Sequence, residues 1–408
     1  MNIPVPEREH TLTEAEVAID QHFSDHGITA RLDRYGDPLS STVATLTFTD
    51  LLPDVHVGCG KGYADEARVG AKFEAYEHAM GPIGLRAATI LADYDEVRGQ
   101  HAMADVFPMT LLERASSGVA AIPFADIGLI NGAPLLYPSF LIDYTYSARP
   151  LPGDGLDYTA ARRYACGTGM AAGVGFTEAA IHAISEVIER HGIGRLIAET
   201  LFYQPEGPLD FIDRHTAPPA VTAVWEDAER VIRAPVHLIA ADSEIACPVF
   251  IAYCEDRVIS GVHVIGGGCS LHASHAATRA LKELVQQYAI ADALEHVTHD
   301  WARSRRHLIR YPRLLRCMDM RLDCDHPAHA RRIAMPADLA PRELDIHLTH
   351  LQTTCRDAGY PVWLKTLHVT DSGVELVCAA MPRMERFSIV SLGGHVIPCH
   401  RPAHPLAA

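Results

Sequence analysis

Glu66-Ala-Arg-Val-Gly-Ala-Lys-Phe-Glu-Ala-Tyr-Glu77, Glu178-Ala-Ala-Ile-His-Ala-Ile-Ser-Glu-Val-Ile-Glu189 and His275-Ala-Ala-Thr-Arg-Ala-Leu-Lys-Glu-Leu-Val-Gln286 superpose on one another without a gap. Alanine holds the second and sixth positions of each, glutamate the ninth, and a carboxylate or amide the twelfth. A glycine-rich stretch precedes each segment: Gly58-Cys-Gly-Lys-Gly62, Gly167-Thr-Gly-Met-Ala-Ala-Gly173 and Gly266-Gly-Gly268. Their separation of about a hundred residues is too long for a solenoid, whose repeats run to roughly 20–50 residues. The pattern predicts three related loop–helix elements that converge on one site.

Residues three apart on a helix share a face, so Glu74 and Glu77 point together, as do Glu186 and Glu189, and Glu283 with Gln286. The repeated alanines let each helix pack closely. Paired like charges are disfavoured by a few tenths of a kcal/mol, roughly, on a helix surface. A bound cation gives such pairs a reason to exist. Magnesium takes hard oxygen ligands and is commonly held by carboxylates together with substrate phosphates. The glycine-rich stretches are expected to offer backbone N–H groups and helix N-termini to phosphate oxygens. Lys61, Arg190 and Arg279 would add positive charge against the phosphates. Taken singly, each feature has a plainer reading: a solvated E-x-x-E face, a turn lysine, or an Arg190–Glu186 ion pair. Three aligned copies outweigh those readings.

Two nucleotide motifs are excluded. Lys61 is followed by Gly62 and not by Ser or Thr, so no Walker A loop is present. Gly167-Thr-Gly-Met-Ala-Ala172 matches a dinucleotide fingerprint, but Ala161–Cys166 does not read as the buried strand that must precede it. Cys166 is expected to be a buried or lining thiol and not a nucleophile, because no histidine can be paired with it.

The 408 residues carry a formal charge of −16 and 48% hydrophobic residues. That is a well-cored chain without general affinity for nucleic acid or anionic membrane. The six arginines between Arg303 and Arg316 are expected to form a solvated face. Ten scattered cysteines without a C-x-x-C fit reduced thiols, and the first residues carry no secretory signal, so the expected location is the cytoplasm. His272/His275, His347/His350 and Cys399/His400/His404 do not complete a zinc ligand set, so structural zinc is not expected there.

The coarse secondary-structure reading is a mixed α/β protein forming one domain. It has an N-terminal helix and strand region (1–54), a nucleotide-binding core (55–290) and a C-terminal region (291–408) ending in a proline-containing extended tail. Residues 11–27 read as a helix capped by Thr13 and Glu16. Strands are expected at 42–49, 138–144, 236–240, 249–253 and 258–265. Surface connections are expected at 149–155 and 204–209.

At these motifs the chain resembles the YcaO family, over roughly residues 55–290. The matching pieces are Gly60-Lys-Gly62 with Glu74-x-x-Glu77, Gly169-Met-Ala-Ala-Gly173 with Glu186-Val-Ile-Glu189-Arg190, and Gly266–Gly268 with Arg279-x-x-x-Glu283-x-x-Gln286. A weaker echo runs from Met381 to Pro398. Gly167-Thr168 stand where the family commonly has Ser-Asn, and Lys282 where many members have a small polar residue. The resemblance implies an α/β ATP-binding fold and an ATP- and magnesium-dependent enzyme that activates peptide backbone amides. Glu74, Glu77, Glu186 and Glu189 would then hold magnesium. Lys61, Thr168, Arg190, Arg279, Glu283 and Gln286 would contact the nucleotide. The implied substrate is a precursor peptide, cyclised at Cys, Ser or Thr to azolines, or converted to a thioamide or amidine by another nucleophile. With no spare region for leader binding, a separate partner protein is expected to deliver the peptide, joined by a flavin dehydrogenase where azoles are made. A homodimer is compatible with the family. The competing reading is a non-catalytic nucleotide-binding scaffold subunit.

Overall fold

The computed structural model describes residues 6–48, 55–112, 118–126, 133–203, 209–324, 330–339 and 343–399. The expected tail beyond residue 399 and most of the 204–209 connection lie outside them. The chain opens with α1 (Leu12–Asp25) and an antiparallel meander of β1 (Ile28–Tyr35), β2 (Ser40–Phe48) and β3 (His56–Gly62), followed by α2 (Ala64–Ala88). Next come β4 (Ile90–Ala92), α3 (Tyr94–Gly99), β5 (Val119–Phe124), β6 (Leu135–Pro138), β7 (Met170–Val174) and α4 (Phe176–Ile197). After β8 (Leu209–Ile212) and α5 (Pro219–Ile232) lie β9 (His237–Ala241), β10 (Val249–Tyr253), β11 (Ile265–Cys269) and α6 (Ala273–Ala293). The chain continues through α7 (Glu295–Leu308), α8 (Pro312–Asp319), β12 (Ala330–Ile333), α9 (Leu344–Asp357), β13 (Trp363–Val369) and β14 (Val374–Ala380). Among the described residues the strands form four sheets, ordered β1-β2-β3, β11-β10-β9-β8-β12, β13-β14-β7 and β4-β5-β6. No described helix is long and apolar enough to cross a membrane.

The glycine-rich stretches take a different form from the one expected. Two of the three are β-strands, and in the third only the Gly167–Gly169 turn precedes a strand. Helix α2 lies so close to β3 that a Cβ on Gly60 would sit 1.9 Å from the Ala67 carbonyl oxygen, and one on Gly58 2.1 Å from the Ala75 nitrogen. On β11, a Cβ on Gly268 would fall 2.0 Å from the Ala276 oxygen, and one on Gly266 2.1 Å from that of Ala280. Glycine on the strand and alanine on the helix therefore serve one end: main chain approaching main chain. Each of these strands is the edge of its own sheet.

Every one of the three helices also packs on the next unit's edge strand: α2 on β7, α4 on β11, and α6 on β3. The result is a closed ring of three strand–helix units. Strand β14, from the C-terminal region, pairs with β7 and so belongs to the same ring.

Four local expectations are corrected. The capping box of α1 is Thr11 with Glu14, two residues earlier than read, which frees Glu16 to bind Arg68 and Lys72 of α2. The 138–144 stretch leaves β6 at Pro138 and turns through a short 3-10 segment at Ser139–Leu141, where the proline has no N–H to extend the ladder. The 258–265 stretch is a turn with an isolated Ile259–Val262 bridge, reaching strand only at Ile265, and Gly261 adopts a φ of 86° within it. The arginine run is likewise not uniformly solvated: Arg305 makes a two-pronged pair with Asp319, and Arg316 donates to the Leu201 carbonyl.

Candidate active site

The ring of units encloses a cleft of about 440 Å3. Nine of the ten residues singled out in the sequence line it: Lys61, Glu74, Glu77, Glu186, Glu189, Arg190, Arg279, Glu283 and Gln286. Thr168 is the exception. It borders a neighbouring cavity of about 570 Å3, which shares Glu186, Arg190 and Glu283 with the cleft and is otherwise walled by groups such as Tyr144, Trp301, Met320 and Leu392.

The twelfth positions of the aligned segments play one geometric part. Glu77 of α2 accepts the Ala172 amide of β7 at 2.7 Å. Gln286 of α6 donates to the Cys59 carbonyl of β3. Glu189 of α4 lies over Gly267 of β11, where a Cβ would stand 2.7 Å from its Oε1. Gly266 and Gly268 face α6 while Gly267 makes room for Glu189, so both sides of β11 demand glycine. Helix α4 is further tied by Glu186, which accepts the Gly169 amide at 2.9 Å.

Charge is densely gathered here. Burial pushes the Glu77 carboxyl well above the usual carboxylate range, against the Ala172 amide, and Glu74 and Glu186 push the same way. Glu74 is raised by burial, with His78 and Lys61 opposing. Burial also raises Glu186, opposed first by Arg190, and Glu189, where Glu283 adds repulsion. Solvent still reaches Glu74, Glu77 and Glu186 in part, because the protein surrounds them as the walls of an open cleft. Burial works to raise Glu283 too, but Lys61, paired with it, and Arg190 outweigh that and hold it low. Arg190 is partly open to solvent on the cleft wall, and Glu189, Glu283 and Glu186 keep it firmly charged against the opposing effect of desolvation.

Carboxylates whose charge the protein leaves undercompensated, all offering hard oxygen donors, suit magnesium. In the same cleft, the buried Arg279 Nε has no hydrogen-bond partner, as a group awaiting an anion would be left. The residues present thus fit a magnesium–triphosphate ligand. Lys282, a departure from the family pattern, pairs with Glu66 at 2.7 Å and closes one wall.

Sequence reading missed the N-terminal contribution. Buried Glu178 accepts the Glu9 and His10 amides at 2.7 and 3.1 Å, and Arg8 stands 3.7 Å from it, which brings Arg8 and His10 to the cleft. Glu7 is buried against Ser270, with His275 and His347 at 3.7 and 3.6 Å. Despite that distance His275 stays neutral: burial, aided by Arg279 and Lys282, depresses it to about 3, although Glu7 pulls the other way. His182, driven well below its ordinary value by burial and Arg279, is neutral as well and meets the Arg279 Nη1 at 3.1 Å. One signal was available: a carboxylate opens both the first and second aligned segments, at Glu66 and Glu178. Cys166 contacts Arg386 at 3.2 Å and lines the second cavity, as expected for a lining thiol.

Among curated proteins none matches the chain significantly. The structure of YcaO from Methanopyrus kandleri bound with AMPPCP and Mg2+ is similar over 99% of both chains, at 18% identity and a TM-score of 0.63. A heterocyclase in complex with substrate and cofactor is similar over 94% of this chain and 54% of its own, at 18% identity and a TM-score of 0.61. The E. coli microcin synthetase McbBCD complex contains a chain similar over 88% of each, at 11% identity and a TM-score of 0.52. At these identities the likeness concerns the fold. The sequence profile of the YcaO cyclodehydratases, described as ATP- and Mg2+-binding, matches residues 59–385, and this chain, with its ring of carboxylate-bearing helices, belongs to the YcaO family.

Proposed function

We propose that this chain uses ATP with Mg2+ to activate backbone amides of a ribosomally made precursor peptide, cyclising Cys, Ser or Thr residues to azolines. The single observation that carries the reading is the convergence of the Glu74/Glu77, Glu186/Glu189 and Glu283/Gln286 pairs with Lys61, Arg190 and Arg279 on one cleft. Membership of the family and the heterocyclase-like fold support it. ATP with Mg2+ would supply the phosphoryl group that the amide oxygen takes, after a side-chain nucleophile has added to the carbonyl carbon, and then carries away as phosphate. Glu74, Glu77, Glu186 and Glu189 would hold the metal. Lys61, Arg190 and Arg279 would orient and neutralise phosphate oxygens, with Glu283 and Gln286 fixing Lys61 and the β3 edge behind them.

The second cavity suits the peptide. It shares Glu186, Arg190 and Glu283 with the nucleotide cleft and offers apolar walls for side chains flanking the reacting amide. Thr168 lies on that side and would touch the peptide or the transferred phosphate sooner than the nucleoside. A separate leader-binding protein, and a flavin dehydrogenase where azoles result, remain the partners this reading calls for. McbBCD is itself a complex, which supports the expectation of partners.

The test is incubation with ATP, Mg2+, a Cys/Ser/Thr-rich precursor and its partner protein, followed by mass spectrometry. Loss of one water mass per modified site supports azoline formation. Replacement of oxygen by sulfur would assign the same site to thioamide formation. Full complex activity with Glu186→Gln would instead make the chain a scaffold.

A further inference from the structure

Away from the cleft, three side chains of metal-ligating type meet at one end of the five-stranded sheet. His237 begins β9 and pairs in register with Tyr253, the last residue of β10. Glu255 follows Tyr253 by two residues. Cys324, buried at 2% exposure, arrives on the loop after α8. The loop is seated by the Leu322 amide, which donates to the Tyr253 hydroxyl at 3.2 Å. Burial raises the Tyr253 phenol, and Cys324 and Glu255 add to that rise. The imidazole Nδ1 or Nε2, a carboxylate oxygen and the thiol sulfur all lie within 4.8 Å of one another. The His237 ring is steadied edge-on by Phe211, with centroids 5.6 Å apart.

We propose that His237, Glu255 and Cys324 bind a zinc ion. A tetrahedral zinc with bonds of about 2.0–2.3 Å spaces its ligands by roughly 3.3–3.8 Å, so donor atoms already within 4.8 Å of one another need draw together only slightly. The donor chemistry selects the metal. Imidazole and thiolate suit a borderline-soft ion, while magnesium and calcium take oxygen alone. A neutral imidazole with one carboxylate and one thiolate also balances the charge of a divalent ion, and water completes the shell. Such an ion would tie β9 and the end of β10 to the loop that leads towards β12, stabilising the sheet and leaving the chemistry of the cleft to magnesium.

The experiment uses the full chain. Purified protein is dialysed and its zinc content measured by elemental mass spectrometry. Metal-free protein is then titrated with Zn2+ against a chromogenic chelator and, separately, loaded with Co2+. Stoichiometric zinc, a cobalt–thiolate charge-transfer band, and a higher melting temperature on zinc addition are expected. Cys324→Ala and His237→Ala should abolish the band and weaken zinc binding by more than the roughly 10–100-fold typical of changes merely around a metal site. Glu186→Gln should leave it unchanged. Absence of tight zinc binding and of the cobalt band in the wild-type chain overturns the proposal even if a variant fails to fold. Zinc retained in Cys324→Ala overturns it too.

Discussion

The Glu77 carboxylate on α2 accepts the backbone amide of Ala172 on β7 at 2.7 Å, which binds the first strand–helix unit to the second. The same side chain is offered as a metal ligand, so tether and ligand are one group.

Replacing Glu77 by glutamine separates those two duties. The amide oxygen of glutamine still accepts from Ala172, and loss of the charge relieves repulsion from Glu74 and Glu186. Without nucleotide, the melting temperature of Glu77→Gln should equal or exceed that of the wild type. The increase brought by Mg2+ with a non-hydrolysable ATP analogue should largely disappear. Differential scanning fluorimetry reads both, and an undiminished increase removes Glu77 from the metal site.

Neighbouring glycines on β11 should respond differently. A Cβ at residue 268 meets the main chain 2.0 Å away, whereas at residue 267 it meets the ends of the Glu189 and Ile193 side chains. Gly268→Ala should cost about 3 kcal/mol or more, and Gly267→Ala about 1–2 kcal/mol. Only the latter should yield a folded protein whose Mg2+-dependent turnover falls at least about tenfold, because Glu189 is displaced. Chemical denaturation together with an ATPase assay checks both.

Lys61 is held by Glu283 and faces the cleft. Charge-assisted hydrogen bonds contribute about 1.5–3 kcal/mol, so Lys61→Ala should weaken ATP binding by roughly 10–100-fold in calorimetry. Unchanged affinity would mean that Lys61 serves Glu283 alone.

The α1–α2 contact carries a pH signature. Arg68 and then Lys72 lower Glu16 from 4.5 to about 2, against the opposing effect of burial. A carboxyl with a depressed folded-state value contributes stability above its unfolded value and loses it as pH falls through the folded one. The stability gap between wild type and Glu16→Gln should therefore be full above 4.5 and close as pH drops towards about 2. Urea unfolding across that range measures it; a constant gap refutes the assignment.

What could be read in advance was whatever recurs. Alanines at the second and sixth positions and acids or amides at the ninth and twelfth survive in three copies because each copy packs helix on strand in the same way. That pattern located six cleft residues, Glu74, Glu77, Glu186, Glu189, Glu283 and Gln286, and Lys61, Arg190 and Arg279 were read from the sequence in and around it. The glycines were visible too, but their task was misread, since composition does not distinguish a phosphate-binding turn from a strand pressed against a helix. Arg8 and Glu178 escaped as a pair because their meeting joins positions 170 residues apart by burial alone, with no periodicity to announce it. Val258–Ile265 looked like a strand by its alternation, yet Gly261 turned it.

A ring in which every member leans on the next has no first member. As the chain leaves the ribosome, Glu77 has no neighbouring strand to grip until Ala172 emerges, and Glu189 none until Gly267 does. Catalytic competence should therefore arrive in one step, late in synthesis, and no shortened version ending between the second and third units should retain a fraction of it.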